Sequence, residues 1–134
     1  MEETPQNAVL IVDDSPMCVK FLMHLLKNEF KLFVAKDGHT AINIAIKNLP
    51  DLILLDVDMP DMSGYQVLSS LRALDATKNI PAIFFTSRDR PEDALEGSQL
   101  GAADYIPKGT AANVVKSRIL DQINIINSGR GAPE

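Results

Sequence analysis

The sequence predicts an α/β fold, a doubly wound sheet of five parallel strands with helices on both faces. Short apolar runs alternate five times with segments of helical periodicity, which is typical of βα units. The apolar runs are continuous, as expected of strands that are covered on both faces. A length of 134 residues fits one domain around one core.

The predicted strands and domain limits follow from where polar segments interrupt the pattern. Residues 1–7 are polar and contain Pro5, so we expect a flexible N-terminal segment. The domain is expected over residues 8–127, followed by a linker-like tail at 128–134 that is rich in Gly and small residues. The strands are expected at 8–12, 31–35, 52–56, 82–86 and 103–107.

Helices one and three have start signals, and the first three helices have apolar faces. Ser15 is a candidate cap for helix one with Pro16 in its first turn, and Ser63 is a candidate cap for helix three. Their predicted core faces repeat at helical spacing. These faces are Cys18, Phe21, Leu22 and Leu25 in helix one, Ala41, Ile42, Ala45 and Leu49 in helix two, and Val67, Leu68, Leu71 and Leu74 in helix three.

The last two helices differ in character. Helix four is expected to start near Asp89 with Pro91 in its first turn; it is polar and contains Gly97, which costs about 1 kcal/mol relative to Ala. Helix five, about 110–127, has a core stripe and additional apolar residues that indicate either a wider core face or a partner surface. Self-association through helices four and five is one such use. The stripe is Ala112, Val115, Ile119, Ile123 and Ile126, and the additional residues are Val114, Leu120 and Ile125.

Composition excludes several functions. A net charge of −5 argues against direct nucleic-acid binding. No apolar run is long enough to cross a bilayer, and no signal pattern opens the chain, so no membrane association is expected. The single Cys18 cannot form an internal disulfide, which fits a cytoplasmic location, and we expect it to be a buried thiol. His24 and His39 have no ligand spacing and are assigned surface or core-edge positions.

Polar residues follow four of the five strands. Asp13-Asp14 come after strand one, Asp56 ends strand three, Thr86 ends strand four and Lys108 follows strand five. Asp13-Asp14 alone are equally typical of a turn. In a sheet of order 2-1-3-4-5, however, these side chains meet beyond the carboxyl ends of the strands, where such sheets bind ligands.

The three acids predict a divalent metal. Asp13, Asp14 and Asp56 would repel one another and raise one another's pKa values without a cation among them. Hard oxygen ligands with positions left for water suit Mg²⁺. No Cys or His pair stands at the spacing that zinc requires. With Lys108 and a hydroxyl, the set predicts a phosphoryl site.

These motifs resemble those of the receiver domain of two-component response regulators. The resemblance covers about residues 8–127 and occurs in separate places in the right order. It implies the flavodoxin-like three-layer (βα)5 fold. The strings that carry it are Val12-Asp13-Asp14-Ser15, Asp56-Val57-Asp58-Met59-Pro60 with Gly64, Phe85-Thr86-Ser87, and Ala103-Asp104-Tyr105-Ile106-Pro107-Lys108.

The resemblance implies a phosphoacceptor signalling module rather than a turnover enzyme. Asp56 would take the phosphoryl group from a phosphohistidine on a sensor histidine kinase or phosphotransfer protein. Asp14 and Asp56 would bind Mg²⁺ together with the backbone carbonyl of Asp58, and Asp13 would hold metal-bound water. Lys108 would bind oxygens of the transferred group.

The resemblance also implies a switch. The Thr86 hydroxyl would bind the phosphoryl oxygens and move inward, and Tyr105 would turn from exposed to buried. That change would alter the face of helix four, strand five and helix five toward an output domain or a downstream protein. A Tyr105 that packs permanently against helix five is the alternative. Asp58 and Arg88 occupy positions that tune phosphate lifetime in the family, and we predict an ion pair between them that restricts attacking water.

One departure and three alternatives accompany this interpretation. Receivers usually follow the strand-five Lys with a cis Pro, whereas here Gly109 follows Lys108. A degenerate receiver that acts only through protein contacts is one alternative. A small Mg²⁺-dependent phosphatase of the haloacid-dehalogenase-like type would reuse Asp56 and Asp58, but offers no cap here. A flavin-binding protein would need a phosphate loop rich in Ser, Thr or Gly.

Overall fold

The computed structural model describes residues 6–131 and confirms the predicted fold class. Five parallel strands form one sheet in the order β2-β1-β3-β4-β5. Residues 1–5 of the predicted N-terminal segment and residues 132–134 of the predicted tail lie outside the described residues. The strands are β1 Ala8–Val12, β2 Lys31–Ala35, β3 Leu52–Leu55, β4 Ala82–Thr86 and β5 Asp104–Pro107. The helices are α1 Pro16–Leu26, α2 Gly38–Asn48, α3 Gly64–Arg72, α4 Pro91–Gln99 and α5 Ala112–Gly131.

The core is divided into two apolar layers by the sheet. One layer packs α1 and α5 against the sheet and includes Leu22, Leu26 and Ile119. The other packs α2 and α3 on the opposite face and includes Val67, Leu68 and Leu71. The central strands β1, β3 and β4 are almost completely buried, which explains their unbroken apolar sequences. Within residues 6–131 no helix is long and apolar enough to span a membrane.

The helix starts agree with the capping signals for α1 and α3. The Ser15 hydroxyl accepts a hydrogen bond from the Cys18 N–H at 3.4 Å. Ser63 and Gln66 form a reciprocal capping box at the start of α3. Helix α4 begins at Pro91, after the predicted start, and no side chain caps it.

Three residues predicted to lie in the core are exposed because they stand at helix ends. Leu49 is the C-cap of α2 in the left-handed region, with φ 47°, and is 53% exposed. Pro50 follows it and disfavours further helix. Leu74 lies beyond the end of α3 and is 39% exposed, and Ala112 is exposed in the first turn of α5. Periodicity alone does not reveal where a helix stops.

Helix α5 extends further than predicted, and its additional apolar residues lie partly against the core and partly on the surface. It continues to Gly131, so residues 128–131 of the predicted linker extend the helix, because elongation of a formed helix outweighs the low propensity of single glycines. Leu120 packs against the core, whereas Val114 and Ile125 are 41% and 64% exposed. Part of the set is therefore a wider core face and part is free surface.

Gly97 lets α4 approach the sheet closely. A Cβ atom at this position would lie 3.0 Å from the ring of Phe84 and 3.1 Å from that of Tyr105. The glycine that weakens the helix by propensity is therefore what allows its close packing on β4 and β5.

Candidate functional site

The register of the sheet brings the sequence-predicted site residues to one edge. Val12 of β1 pairs with Leu55 of β3, so the residues that follow both strands are neighbours. The Asp56 N–H donates to the Val12 carbonyl at 2.9 Å, and the Lys108 N–H donates to the Thr86 carbonyl at 2.9 Å. All carboxyl ends point the same way in a parallel sheet, so this edge collects the side chains that follow the strands.

Three carboxylates form the centre of the site. Oxygen atoms of Asp13, Asp14 and Asp56 all lie within 4.8 Å of one another. Asp13 and Asp56 are 2% and 5% exposed, whereas Asp14 is exposed. The donor set is all hard oxygen, and its exposed side leaves room for water ligands. These residues therefore fit a divalent cation of the Mg²⁺ type better than a soft metal.

Lys108 bridges two of the acids. Its Nζ lies 2.9 Å from Asp13 Oδ2 and 3.2 Å from Asp56 Oδ2. Partial burial lowers the pKa of Lys108, but the hydrogen bond to Asp13 and the charge of Asp56 outweigh it and hold this pKa above its ordinary value. The side chain is therefore a fixed positive charge beside the acids.

The environment of Asp56 opposes its ionisation. Burial and the neighbouring charge of Asp13 raise its pKa, while a hydrogen bond from Thr86 and the charge of Lys108 partly offset that rise. Its Oδ1 also accepts a hydrogen bond from the Val57 N–H at 2.8 Å. A cation bound among the acids would favour the ionised form further.

Lys108 lies in the site although Gly109, and not the proline usual in receivers, follows it. No peptide bond among residues 6–131 is cis, so the bond after Lys108 is trans. Apart from its two chain neighbours, a Cβ atom at Gly109 would meet no heavy atom of residues 6–131 within 4 Å. Neither close packing nor a positive φ requires glycine there, and Lys108 still reaches both Asp13 and Asp56.

Asp58 and Arg88 form an ion pair across the two loops that border the site. Arg88 Nε donates to both carboxylate oxygens of Asp58 at 2.9 and 3.1 Å, and a terminal guanidinium nitrogen lies 2.8 Å from Oδ1. The other terminal nitrogen lies 3.8 Å from Asp93 at the start of α4. Asp58 lies before α3 and Arg88 before α4, so the pair joins the β3–α3 loop to the β4–α4 loop.

Tyr105 is connected to the same loop. Its hydroxyl donates to the backbone carbonyl of Arg88 at 2.9 Å and lies 3.4 Å from the hydroxyl of Tyr65, which donates to the Asp93 carbonyl at 3.0 Å. Its ring packs against Phe84 at 5.7 Å between centroids. The tyrosine therefore lies between β4 and the start of α4.

Two residues of this region were missed by the sequence analysis. Tyr65 carries no signal beyond its place near the start of α3. Asp61 stands in a run of turn residues, yet its carboxylate binds the first turn of α2, including His39, for which the sequence offered no partner. Neither contact has a sequence spacing that predicts it, because both join elements distant along the chain.

Comparisons with known proteins place these features in context. Residues 9–120 match the family described as response regulator receiver domain. The chain is 40% identical over 119 residues to a protein of Vibrio cholerae serotype O1 named a probable cyclic di-GMP phosphodiesterase, covering 89% of this chain but 27% of that protein. It is 33% identical over 122 residues to PilH of Pseudomonas aeruginosa, covering 90% and 98% of the two chains. The structure of the Vibrio cholerae chemotaxis protein CheY4 superposes with a TM-score of 0.81 at 28% identity, covering 87% of this chain and 98% of that one.

Proposed function

The chain belongs to the response regulator receiver domain family, and from that premise we propose that it is a phosphoacceptor module whose acceptor is Asp56. One observation carries this assignment above others. Asp56 is a buried carboxylate that lies beside an ammonium group, in a cluster of three acids suited to a cation. Nucleophile, charge neutralisation and metal ligands are the parts that phosphoryl transfer to a carboxylate needs.

In the proposed reaction an Asp56 carboxylate oxygen attacks the phosphorus of a phosphohistidine on a partner kinase or phosphotransfer protein. The bond from phosphorus to the imidazole nitrogen breaks, and the histidine leaves. Lys108 and the Thr86 hydroxyl bind oxygens of the transferred group. Asp13, Asp14, Asp56 and the backbone carbonyl of Asp58 would hold Mg²⁺. The bound ion supplies charge neutralisation for the phosphoryl oxygens.

The contacts of Arg88 support a route from the acceptor to the switch surface. Its backbone N–H donates to the Thr86 hydroxyl at 3.3 Å, and its carbonyl accepts the Tyr105 hydroxyl. If the Thr86 hydroxyl moves toward a bound phosphoryl group, it no longer accepts the hydrogen bond from the Arg88 N–H. We infer that the loop then shifts, that Tyr105 loses its hydrogen bond to the Arg88 carbonyl and turns inward, and that the face of α4, β5 and α5 changes as a result.

The partners are a sensor histidine kinase or phosphotransfer protein on the input side and an output domain or separate protein on the output side. The chain spans about a quarter of the Vibrio cholerae phosphodiesterase that it matches. The output partner is therefore assigned only as a domain or protein that binds the face of α4, β5 and α5. Exposed Leu95 of α4 and Val114 of α5 support self-association as a further use of that face.

The deciding experiment is intact-mass analysis of the native chain after incubation with acetyl phosphate, with and without Mg²⁺. We expect the mass of one phosphoryl group to be gained only with the metal. Beryllofluoride binding, followed by NMR, covers the case of rapid hydrolysis. Failure of both would contradict the proposal and favour a receiver that acts only through protein contacts. Turnover of a model phosphoester in many cycles would favour the phosphatase alternative.

Removing the Asp58–Arg88 ion pair should shorten the life of the phosphorylated form. In Arg88→Ala the loop that borders the acceptor loses its link to Asp58, so water reaches the acyl phosphate more freely. Because the pair is exposed, we expect a modest effect, an increase of about two- to fivefold in the dephosphorylation rate. The rate is measured by loss of phosphoprotein mass after the donor is removed. Arg90→Ala, at the next arginine in that loop, is the control, and an unchanged rate in Arg88→Ala would show that the ion pair does not restrict water.

A further inference from the structure

One carboxylate ties the loop after β3 to the start of α2. Asp61 Oδ1 accepts hydrogen bonds from the Gly38 N–H at 2.8 Å and from the Met62 N–H at 2.9 Å. Its Oδ2 accepts the His39 N–H at 3.0 Å and lies 2.5 Å from His39 Nδ1. A single side chain thus binds three backbone N–H groups and an imidazole.

Close packing surrounds this contact. A Cβ atom at Gly38 would lie 2.2 Å from Met62 Cγ and 2.9 Å from a methyl carbon of Val67, so the start of α2 lies directly against the loop. At the other end of the loop the Gly64 N–H donates to the Val57 carbonyl at 2.7 Å. The loop between Val57 and Gly64 is therefore held at both ends, and Asp61 holds the middle.

The hydrogen bonds that Asp61 accepts favour its ionised form over its protonated form. The hydrogen bond from the Gly38 N–H, and those from His39, hold the pKa of Asp61 well below its ordinary value. The positive end of the α2 dipole acts in the same direction. The link therefore persists over the whole neutral range of pH.

Helix α2 does not depend on Asp61 for its cap. Asp37 is the N-cap, and its Oδ1 accepts the Thr40 N–H at 2.8 Å. Asp61 reaches the same turn from an element 22 or 23 residues away along the chain. Asp61 and Asp58 lie in the same loop, between β3 and α3. The contact with α2 therefore restrains the loop that carries Asp58.

We propose that Asp61 is a positioning residue for the metal site, which holds the loop after β3 against α2 so that the Asp58 backbone is fixed beside the acidic cluster. This rests on the proposed function, because it assumes that the Asp58 carbonyl is a metal ligand. Outer contacts that orient metal ligands typically change affinity by about 10- to 100-fold when removed. His39 completes the contact from the solvent side.

The chain offers a charge-matched pair of variants. Asp61→Asn and Asp37→Asn each remove one negative charge near the start of α2. Asparagine keeps a carbonyl oxygen for the single bond that Asp37 accepts, and it is a good N-cap. It cannot replace Asp61, because both carboxylate oxygens accept bonds there and the amide would turn an NH₂ group toward one set of donors.

The experiment is an NMR titration of the native chain and both variants with Mg²⁺ alone, with amide hydrogen exchange measured on the same samples. We expect Asp61→Asn to bind Mg²⁺ about tenfold more weakly and to show faster exchange at Gly38 and His39, whereas Asp37→Asn stays within about twofold of the native affinity. Phosphorylation by acetyl phosphate in Asp61→Asn should recover at saturating Mg²⁺. His39→Ala removes the imidazole contact to Asp61 and is expected to weaken Mg²⁺ binding by about threefold. If Asp61→Asn does not fold, an unchanged affinity in His39→Ala would overturn the positioning role.

The outcomes separate this proposal from the proposed function. Unchanged Mg²⁺ affinity in Asp61→Asn, with faster exchange at Gly38, would overturn the positioning role and leave only a contact to the helix. A native chain that binds Mg²⁺ but takes no phosphoryl group would contradict the phosphoacceptor assignment, while the affinity comparison would still decide the role of Asp61. A native chain that does not bind Mg²⁺ would overturn the positioning role as well.

Discussion

Asp56→Asn is expected to take up no phosphoryl group from acetyl phosphate at any Mg²⁺ concentration. The amide has no charged oxygen to attack phosphorus, and it removes one oxygen ligand from the acidic cluster at the same time. Intact-mass analysis against the native chain measures the loss directly. Asp75→Asn, at an exposed acid that pairs with Lys78, is the matched control and should be phosphorylated normally.

The same variant should be more stable than the native chain in metal-free buffer at neutral pH. Burial and the charge of Asp13 raise the pKa of Asp56 above its ordinary value, so its ionised form costs stability in the folded state. That cost is absent below the unfolded pKa and grows as pH rises through the folded pKa. The difference in unfolding midpoint should therefore be small at pH values below the ordinary pKa of an aspartate and should grow as pH rises, and equal stability at neutral pH would contradict this account. Phosphoryl uptake by Asp56→Asn would show instead that another residue is the acceptor.

Lys108→Gln is expected to move two measurements in opposite directions. Phosphorylation should slow by about 10²- to 10³-fold, because the charge proposed to bind the transferred oxygens is lost. Mg²⁺ affinity should rise by about three- to tenfold, because the ammonium no longer competes with the cation for Asp13 and Asp56. Acetyl phosphate kinetics and an NMR titration with Mg²⁺ measure the two effects.

Slower phosphorylation together with higher Mg²⁺ affinity would distinguish competition between Lys108 and the cation from general damage to the site. A distorted acidic cluster would bind Mg²⁺ more weakly and be phosphorylated more slowly together. Lys116→Gln, which breaks an ion pair between α5 and Glu29 in the loop after α1, is the control and should change neither. Slow phosphorylation with reduced Mg²⁺ affinity in Lys108→Gln would therefore contradict the proposed competition.

The fold was predictable because each strand is marked at both ends. Continuous apolar runs such as the one before Asp56 set the strands, and polar residues after them set the edge where the site forms. The clustering of the three acids follows from topology alone once the strand order is known. Helix ends such as Leu49 were less predictable, because the apolar spacing continued past the point where the chain turns.

The contacts that join separate loops were the part that sequence did not determine. Asp61 and His39 lie 22 positions apart, and nothing in their spacing indicates that they touch. The Asp58–Arg88 pair was predicted from charge and position, and the two side chains do meet. The hydrogen bond from Tyr105 to the Arg88 backbone was not foreseen, because a backbone acceptor leaves no trace in residue identity.

Arg88 contacts Asp58 through its side chain and contacts Thr86 and Tyr105 through its backbone. Its side chain contacts Asp58, but its links to Thr86 and Tyr105 run through its own backbone N–H and carbonyl. Every amino acid except proline carries that backbone pair. Under the proposed function, a substitution of Arg88 by any residue but proline would therefore change how long the phosphorylated form lasts, while the backbone contacts to Thr86 and Tyr105 are kept.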